Sequence, residues 1–130
     1  MSLESPSEPH RKRLLIVDDE PLNRDLLCRV LKDDYACEEA EDADAAIAVL
    51  EAAEAIDVIL CDQLMPGRSG TELAEEVRLR WPTVTFLLIT GYDDDPQVRE
   101  ARARGTVHRV VTKPWTARGL KALLAEITAS

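Results

Sequence analysis

The feature that most constrains the fold is the alternation of short apolar runs with segments of helical spacing. Five apolar runs follow one another along the chain, at residues 14–17, 35–37, 58–61, 84–89 and 107–111. The first, third and fourth consist almost entirely of leucine, isoleucine and valine, which is typical of strands covered on both faces. The runs therefore predict a buried parallel sheet.

The segments between these runs carry apolar residues at the spacing of amphipathic helices. These residues are Leu22, Leu26, Leu27 and Val30; Ala43, Ala46, Ile47 and Leu50; Leu73 and Val77; and Leu120, Leu123, Leu124 and Ile127. Strand followed by helix, five times, predicts an α/β, doubly wound sheet of five parallel strands with five helices on both faces. We assign residues 13–128 to this single domain. Segment 96–104 is the most polar and predicts a loosely held helix.

Local signals support the predicted helix ends. Pro21 suits the first turn of a helix, where a missing N–H costs little. Ser69 and Glu72 have the spacing of a capping box, in which each side chain binds the other residue's backbone N–H. Gly105 is placed to end the fourth helix.

Charge and composition exclude several classes of protein. The 25 acidic residues outnumber the 16 basic ones, giving a net charge of −9, which argues against direct binding of nucleic acid or of anionic lipid. No apolar run approaches the roughly 20 residues that span a bilayer, and the polar residues 1–12 predict a flexible tail without a signal peptide. We expect a cytoplasmic protein, whose Cys28, Cys37 and Cys61 are reduced and buried thiols.

Polar residues follow the predicted strands where ligands of open parallel sheets bind, beyond the carboxyl ends. Asp18 and Asp19 follow the first strand, Asp62 the third, Thr90 the fourth and Lys113 the fifth. If these strands are neighbours, the three carboxylates, the hydroxyl and the ammonium converge on one edge of the sheet. The second strand is followed by Glu38 and Glu39, which we expect to lie to one side, on an edge strand.

Three carboxylates in one place repel one another, and a divalent cation removes that cost. Oxygen ligands without histidine or cysteine favour Mg²⁺, which takes one or two carboxylates together with phosphate oxygens. The sequence contains no glycine-rich phosphate cradle, so a bound nucleotide is not expected. The remaining option is that a carboxylate itself accepts a phosphoryl group.

The chain resembles the receiver domain of bacterial two-component response regulators. The motifs LLIVDDEP, VILCDQLMPGRSGTEL, FLLITGY and VVTKPW match in order over nearly the whole chain. CDQ-x-MPG, TGY and TKPW look like one branch of the family, whose members are often fused to HD-type cyclic-dinucleotide phosphodiesterases or to transcription regulators of hydrogenase genes. The resemblance implies a flavodoxin-like sheet of order 2-1-3-4-5 and a cis peptide bond between Lys113 and Pro114.

The resemblance also implies roles for the residues at the sheet edge. Asp62 would be the phosphoacceptor, and Thr90 and Lys113 would contact the phosphoryl oxygens. Asp19, Asp62 and the backbone carbonyl of Leu64 would bind Mg²⁺ directly, with Asp18 acting mostly through water. The phosphoryl donor would be a sensor histidine kinase or a phosphotransfer protein. The surface of the fourth helix, fifth strand and last helix would bind an output domain or a partner, with a phosphorylation-dependent homodimer as one form.

Three positions set this chain apart. Receivers usually carry Tyr or Phe three residues before the lysine, and this ring swings between exposed and buried states; here the position is Val110, a stiff side chain with little to swing. Leu64 and Tyr92 flank the predicted site, and we expect them to shield an acyl phosphate from water.

Two alternatives remain beside the signalling switch. The chain could be a constitutive protein-interaction module that no longer switches, which Val110 would favour. It could also be a phosphatase with an aspartyl nucleophile, although such haloacid-dehalogenase-like enzymes place that residue in a D-x-D after the first strand, where this chain has D-D-E. We expect no independent enzymatic turnover and no output domain within these 130 residues, as in a stand-alone receiver or a piece of a larger protein.

Overall fold

The computed structural model describes residues 11–52 and 55–129 of the chain. Strand and helix alternate in the order β1 (Arg13–Val17), α1 (Pro21–Leu31), β2 (Ala36–Ala40), α2 (Ala43–Ala52), β3 (Val58–Asp62), α3 (Gly70–Arg80), β4 (Thr85–Thr90), α4 (Pro96–Arg104), β5 (Arg109–Thr112) and α5 (Ala117–Thr128). The strands form one parallel sheet of order β2-β1-β3-β4-β5. The predicted fold class and the strand order implied by the family resemblance are both confirmed.

Successive strand residues point to opposite faces of the sheet and build two separate cores. On one face, Leu15, Ile59 and Leu88 pack with residues of α2, α3 and α4. On the other face, Leu14, Leu60 and Leu87 pack with residues of α1 and α5. Because both faces are covered, the central strands carry continuous apolar runs with polar residues only at their ends, as the sequence predicts.

The predicted helix ends agree with the structure. Pro21 is the first residue of α1. Ser69 and Glu72 form the reciprocal capping box at the start of α3. Gly105 ends α4 with φ of 80°, in the left-handed region that glycine adopts without strain.

The prediction for the second strand was wrong in its length and its position. β2 runs from Ala36 to Ala40, so Glu38 and Glu39 lie within the strand and not after it. As expected, it is an edge strand, and arginines hold the two acids: Arg13 pairs with Glu38, and Arg24 Nε lies 3.2 Å from Glu39 Oε1. An edge strand buries less of its surface, so its sequence shows no continuous apolar run.

The apolar stripe predicted for α1 was also partly wrong. Leu27 is buried, but Leu22 and Leu26 are 82% and 50% exposed, and the residue that joins Leu27 in the core is Leu31. Leu26 lines an apolar cleft between α1 and the start of α5, beside Trp115. Spacing identifies an apolar stripe, but the packing of the helix on the sheet decides which edge of the stripe is covered.

Smaller differences concern the last strand and the thiols. β5 begins at Arg109, two residues after the apolar run begins, and ends at Thr112. Cys61 is buried as predicted, whereas Cys28 and Cys37 are only half-buried, and all three are free thiols.

The predicted tail falls mostly on residues 1–10, which lie outside the described part of the chain. Within the described residues, the carbonyl of Lys12 accepts a 2.9 Å hydrogen bond from the N–H of Ala36. None of the helices in the described ranges is long and apolar enough to cross a membrane.

Gly70 provides a test of the packing between α3 and the sheet. A Cβ at this position would lie 2.6 Å from Leu88 Cδ1 and 2.7 Å from the carbonyl oxygen of Asp62. We expect Gly70→Ala to lower the free energy of unfolding by about 1–3 kcal/mol through overpacking, although alanine favours a helix. Urea denaturation measures the change.

The matched control is Gly91→Ala, because none of the described residues would lie within 4 Å of its added Cβ. Equal stability of the two variants, or a gain for Gly70→Ala, would contradict the close approach.

Candidate functional site

The site lies where the strand order reverses, between β1 and β3. Val17 and Cys61 are register partners in these neighbouring strands. Asp18 directly follows β1, and Asp62 is the last residue of β3. Crevices at such switch points are the usual ligand sites of open α/β sheets. The order of the strands, and not a local motif, therefore brings these two acids side by side.

Three carboxylates cluster at this point, as predicted. One oxygen from each of Asp18, Asp19 and Asp62 lies within 4.8 Å of the other two. Asp18 and Asp62 are only 4% and 7% exposed, whereas Asp19 faces solvent. Burial raises the pKa of the Asp62 carboxyl, and the charges of Asp18 and Asp19 act in the same direction, against the opposing effect of Lys113.

Lys113 supplies the cation of the cluster. Its Nζ lies 2.9 Å from Asp62 Oδ1. Burial acts to lower the pKa of Lys113, but the hydrogen bond to Asp62 and the charges of Asp18 and Glu20 outweigh it, so that the pKa is raised. The lysine therefore stays protonated at neutral pH. One ammonium faces three carboxylates, which leaves the cluster with excess negative charge.

Contacts beyond these four residues orient Asp18. Its Oδ1 accepts a 2.9 Å hydrogen bond from the N–H of Glu20, and its carbonyl oxygen accepts a 2.7 Å bond from Arg24 Nη1. The sequence did not single out Arg24, because its spacing is that of an ordinary polar position on α1. Its guanidinium holds the turn between β1 and α1 in place.

Thr90, the last residue of β4, is 2% exposed. Its Oγ1 accepts a 3.0 Å hydrogen bond from the N–H of Tyr92, and its carbonyl oxygen accepts a 2.9 Å bond from the N–H of Lys113. The peptide bond between Lys113 and Pro114 is cis, as the resemblance implies. Thr90 is thus bonded both to the lysine and to the loop that leads into α4.

An open cavity of about 290 Å³ gives access to Asp62. It is lined by Asp62, Leu64, Thr90, Gly91, Tyr92 and Lys113. Leu64 and Tyr92 are each 64% exposed at its rim. The predicted residues from three strand ends therefore meet around a space in which a small anionic group fits.

The donor set suits Mg²⁺. The clustered ligand atoms are all carboxylate oxygens, and hard oxygen ligands favour Mg²⁺ over zinc or copper. The raised pKa of Asp62 is consistent with this fit, because a divalent cation at the cluster would offset the burial and repulsion that cause the shift.

Two further residues define the surroundings of the site. Val110 is half-buried and packs against the core under α2, α3 and α4. Gln63, directly after Asp62, is 4% exposed and fully hydrogen-bonded. The sequence does not single out Gln63, because a glutamine at the start of a turn-rich segment has the pattern of a solvated loop residue.

The chain is similar to known proteins over most of its length. The family description for the response regulator receiver domain matches residues 14–125. A hydrogenase transcriptional regulatory protein, HoxA of Cupriavidus necator, is 37% identical over 102 residues, covering 78% of this chain and 21% of the relative. A cyclic di-GMP phosphodiesterase of Thermotoga maritima is 31% identical over 93 residues, covering 71% of this chain and 24% of the relative. Both kinds of protein are among those that the motifs indicate.

A solved structure shows the same fold. The response regulator TrrA of Thermotoga maritima, in complex with Mg²⁺ and BeF, is similar with a TM-score of 0.77 at 29% identity, over 89% of this chain and 98% of that one. The chain spans only about a fifth to a quarter of the two curated relatives, at 21% and 24% of their lengths. By its sequence and its fold, the chain belongs to the response regulator receiver domains of two-component systems.

Proposed function

We propose that the chain is a phosphoacceptor switch in which Asp62 takes a phosphoryl group from a phosphohistidine. The observation that carries this proposal is the 2.9 Å ion pair between Lys113 and Asp62 at the mouth of an open cavity. The Asp62 carboxylate is therefore mostly buried, but it can be reached from solvent through the cavity. The donor is a sensor histidine kinase or a phosphotransfer protein.

The chemistry is an in-line displacement at phosphorus. A carboxylate oxygen of Asp62 forms the new P–O bond while the P–N bond of the phosphohistidine breaks, and the imidazole nitrogen keeps the electron pair. Negative charge spreads over the phosphoryl oxygens, where neutralisation and positioning supply most of the catalysis. Lys113 is within reach of those oxygens because it already contacts Asp62.

The groups that would hold Mg²⁺ are the carboxylates of Asp18, Asp19 and Asp62 and the backbone carbonyl of Leu64. The bound cation would offset the excess negative charge of the cluster and of the incoming phosphoryl group. Asp18 is kept in orientation for this role by the N–H of Glu20.

Thr90 is the residue that would report the phosphoryl group to the rest of the domain. Its hydroxyl can turn from the N–H of Tyr92 toward a phosphoryl oxygen on Asp62, since Thr90 and Asp62 line the same cavity. The loop between Thr90 and α4 would then shift. The surface of α4, β5 and α5 is the proposed binding face for a partner or an output module, such as the transcription regulator or phosphodiesterase of the two relatives.

A second candidate is a constitutive interaction module, and the packing of Val110 favours it. A half-buried valine against the core has no second position comparable to that of a swinging ring. Phosphorylation chemistry is independent of this residue, because Val110 does not line the cavity. The two candidates therefore differ in whether phosphorylation of Asp62 changes the surface of α4, β5 and α5; a chain that takes no phosphoryl group at all is also constitutive.

The first test concerns Mg²⁺. Burial raises the folded-state pKa of Asp62, so the ionised carboxylate destabilises the metal-free fold above that pKa. The free energy of unfolding therefore rises as the pH is lowered through the folded-state pKa of Asp62. We expect Asp62→Asn to raise the metal-free melting temperature at pH 7 by roughly 3–5 °C, or about 1 kcal/mol. Mg²⁺ at about 100 times its Kd should stabilise the native chain by about 2.7 kcal/mol and the variant much less.

Thermal unfolding with Mg²⁺ and with a chelator measures both effects. Asp93→Asn is the control, since it removes an exposed carboxylate outside the cluster. Equal Mg²⁺ stabilisation of the native chain and Asp62→Asn would rule out the proposed metal site.

The second test is phosphorylation by a small-molecule acyl phosphate with Mg²⁺, followed by intact mass. The native chain and Asp93→Asn should gain one phosphoryl group, and Asp62→Asn none. Lys113→Ala should react roughly 100-fold more slowly, as when one donor that stabilises developing charge is removed. An unmodified native chain would favour the constitutive module, and sustained turnover of an aryl phosphate would favour the phosphatase.

The third test concerns the lifetime of the acyl phosphate. Leu64 and Tyr92 lie at the rim of the cavity, where attacking water would enter. We expect Leu64→Asn with Tyr92→Ala to speed dephosphorylation about tenfold, which is a barrier lower by about 1.4 kcal/mol. Leu79→Asn is the control, because this leucine is 83% exposed on α3 and does not line the cavity. An unchanged lifetime of the double variant would disprove the shielding.

A further inference from the structure

Gln63 is a buried polar residue that the phosphoacceptor chemistry does not use. It follows Asp62 and is 4% exposed. Its N–H donates to the carbonyl of Ile89 and its carbonyl accepts from the N–H of Gly70, both at 3.0 Å. Its backbone therefore continues the path of β3 toward the start of α3. A buried side-chain amide destabilises the fold unless hydrogen bonds satisfy it.

The side chain of Gln63 is satisfied on both sides. Its Oε1 accepts a 2.9 Å hydrogen bond from the N–H of Thr71. A backbone N–H can only donate, so the orientation of the amide is determined and Nε2 faces the other way. Nε2 donates to Thr71 Oγ1 at 3.2 Å and to Gln97 Oε1 at 3.5 Å. One of its bonds therefore leaves the segment around Asp62 and reaches another helix.

Gln97 lies in the first turn of α4. Its Oε1 also accepts a 3.5 Å hydrogen bond from Thr71 Oγ1. Both contacts to Gln97 are longer than ordinary hydrogen bonds and are accordingly weak. They form a polar link, which we define as Gln63, Thr71 and Gln97, between the segment after Asp62 and the start of α4.

One apolar side chain, Val98, anchors the first turn of α4 in the core. The buried residues of this helix are Val98 and Ala101, and its other residues are polar or exposed. Asp95 caps the helix by accepting from the N–H of Gln97 at 2.8 Å. Beside Val98, the polar link joins this first turn to α3 and to the segment after Asp62.

The same turn is connected to Thr90 through the preceding loop. Thr90 Oγ1 accepts from the N–H of Tyr92, and the carbonyl of Tyr92 accepts from the N–H of Asp95 at 3.1 Å. If the Thr90 hydroxyl turns to a phosphoryl group, Tyr92 loses its acceptor and the loop that carries the cap of α4 can shift. The two weak bonds to Gln97 are the ones that such a shift would break first.

We propose that Gln63 is a positioning residue that, through the polar link, holds the first turn of α4 while Asp62 is unphosphorylated and releases it on phosphorylation. This rests on the proposed phosphoacceptor function. It provides a coupling between the site and α4 that needs no aromatic ring at position 110. The link consists of side-chain hydrogen bonds between the segment after β3 and the first turns of α3 and α4.

The experiment is hydrogen exchange of the α4 amides in the full chain with Mg²⁺, with and without a small-molecule acyl phosphate. Gln97 is exposed, so Gln97→Ala removes the link without opening a cavity. We expect α4 of unphosphorylated Gln97→Ala to exchange about two- to fivefold faster than in the native chain, because the variant loses two weak contacts, each at the low end of the usual contribution of a hydrogen bond. The native chain should reach the same faster exchange on phosphorylation, and the variant should change little.

Two variants serve as controls. Gln97→Glu keeps an oxygen that accepts from Gln63 Nε2, so it should retain the native exchange rate. Arg102→Ala changes an exposed residue of the same helix outside the link and should also exchange like the native chain. A merely structural role of residue 97 would not produce this dependence on the phosphorylation state.

The outcomes separate the link from the proposed function. If unphosphorylated Gln97→Ala exchanges like the native chain, the link is disproved, whatever happens at Asp62. Intact mass of the same samples reports the phosphoryl group. If the native chain takes none, the proposed function and the release step fail together, while faster exchange in Gln97→Ala would still establish that the link holds α4.

Discussion

The ion pair between Lys113 and Asp62 is the interaction on which the arrangement of the site depends. Asp62 ends β3 and Lys113 follows β5, and β4 lies between these strands. The pair therefore reaches across the end of β4, whose last residue, Thr90, accepts a hydrogen bond at its carbonyl from the N–H of Lys113. One lysine thus ties together the ends of three neighbouring strands.

The same pair leaves the site electrostatically incomplete. Among the described residues, the ion pair of the cluster joins Lys113 to Asp62, while Asp18 and Asp19 add negative charge. Burial of Asp62 strengthens the repulsion between the carboxylates because little water screens it. Two apolar layers, one on each face of the sheet, hold the strands and so keep the acids together despite this cost. A domain built in this way gains stability when a cation enters the cluster, and it can respond to a change of charge at one carboxylate.

The elements differ in how well their sequences predict them. The central strands were predictable because burial on both faces favours a continuous apolar run. The edge strand β2 was not, since arginines from neighbouring elements, and not apolar packing, accommodate Glu38 and Glu39. The exposed Leu22 of α1 shows the same limit for helices, because the rotation of a helix on the sheet depends on side chains that are distant in sequence.

At the site, the residue types that follow four of the five strands predicted the group Asp18, Asp19, Asp62, Thr90 and Lys113 on condition that those strands are neighbours, because parallel strands end at the same edge of a sheet. The family resemblance, and not the spacing, supplied the strand order that fulfils this condition. The sequence by itself also determined the alternation of strand and helix, since apolar spacing follows directly from the period of each element. Only the tertiary structure decided that Gln63 is buried and joined to Gln97. Hydrogen bonds between residues 34 positions apart depend on how the loops pack, and no local pattern records that.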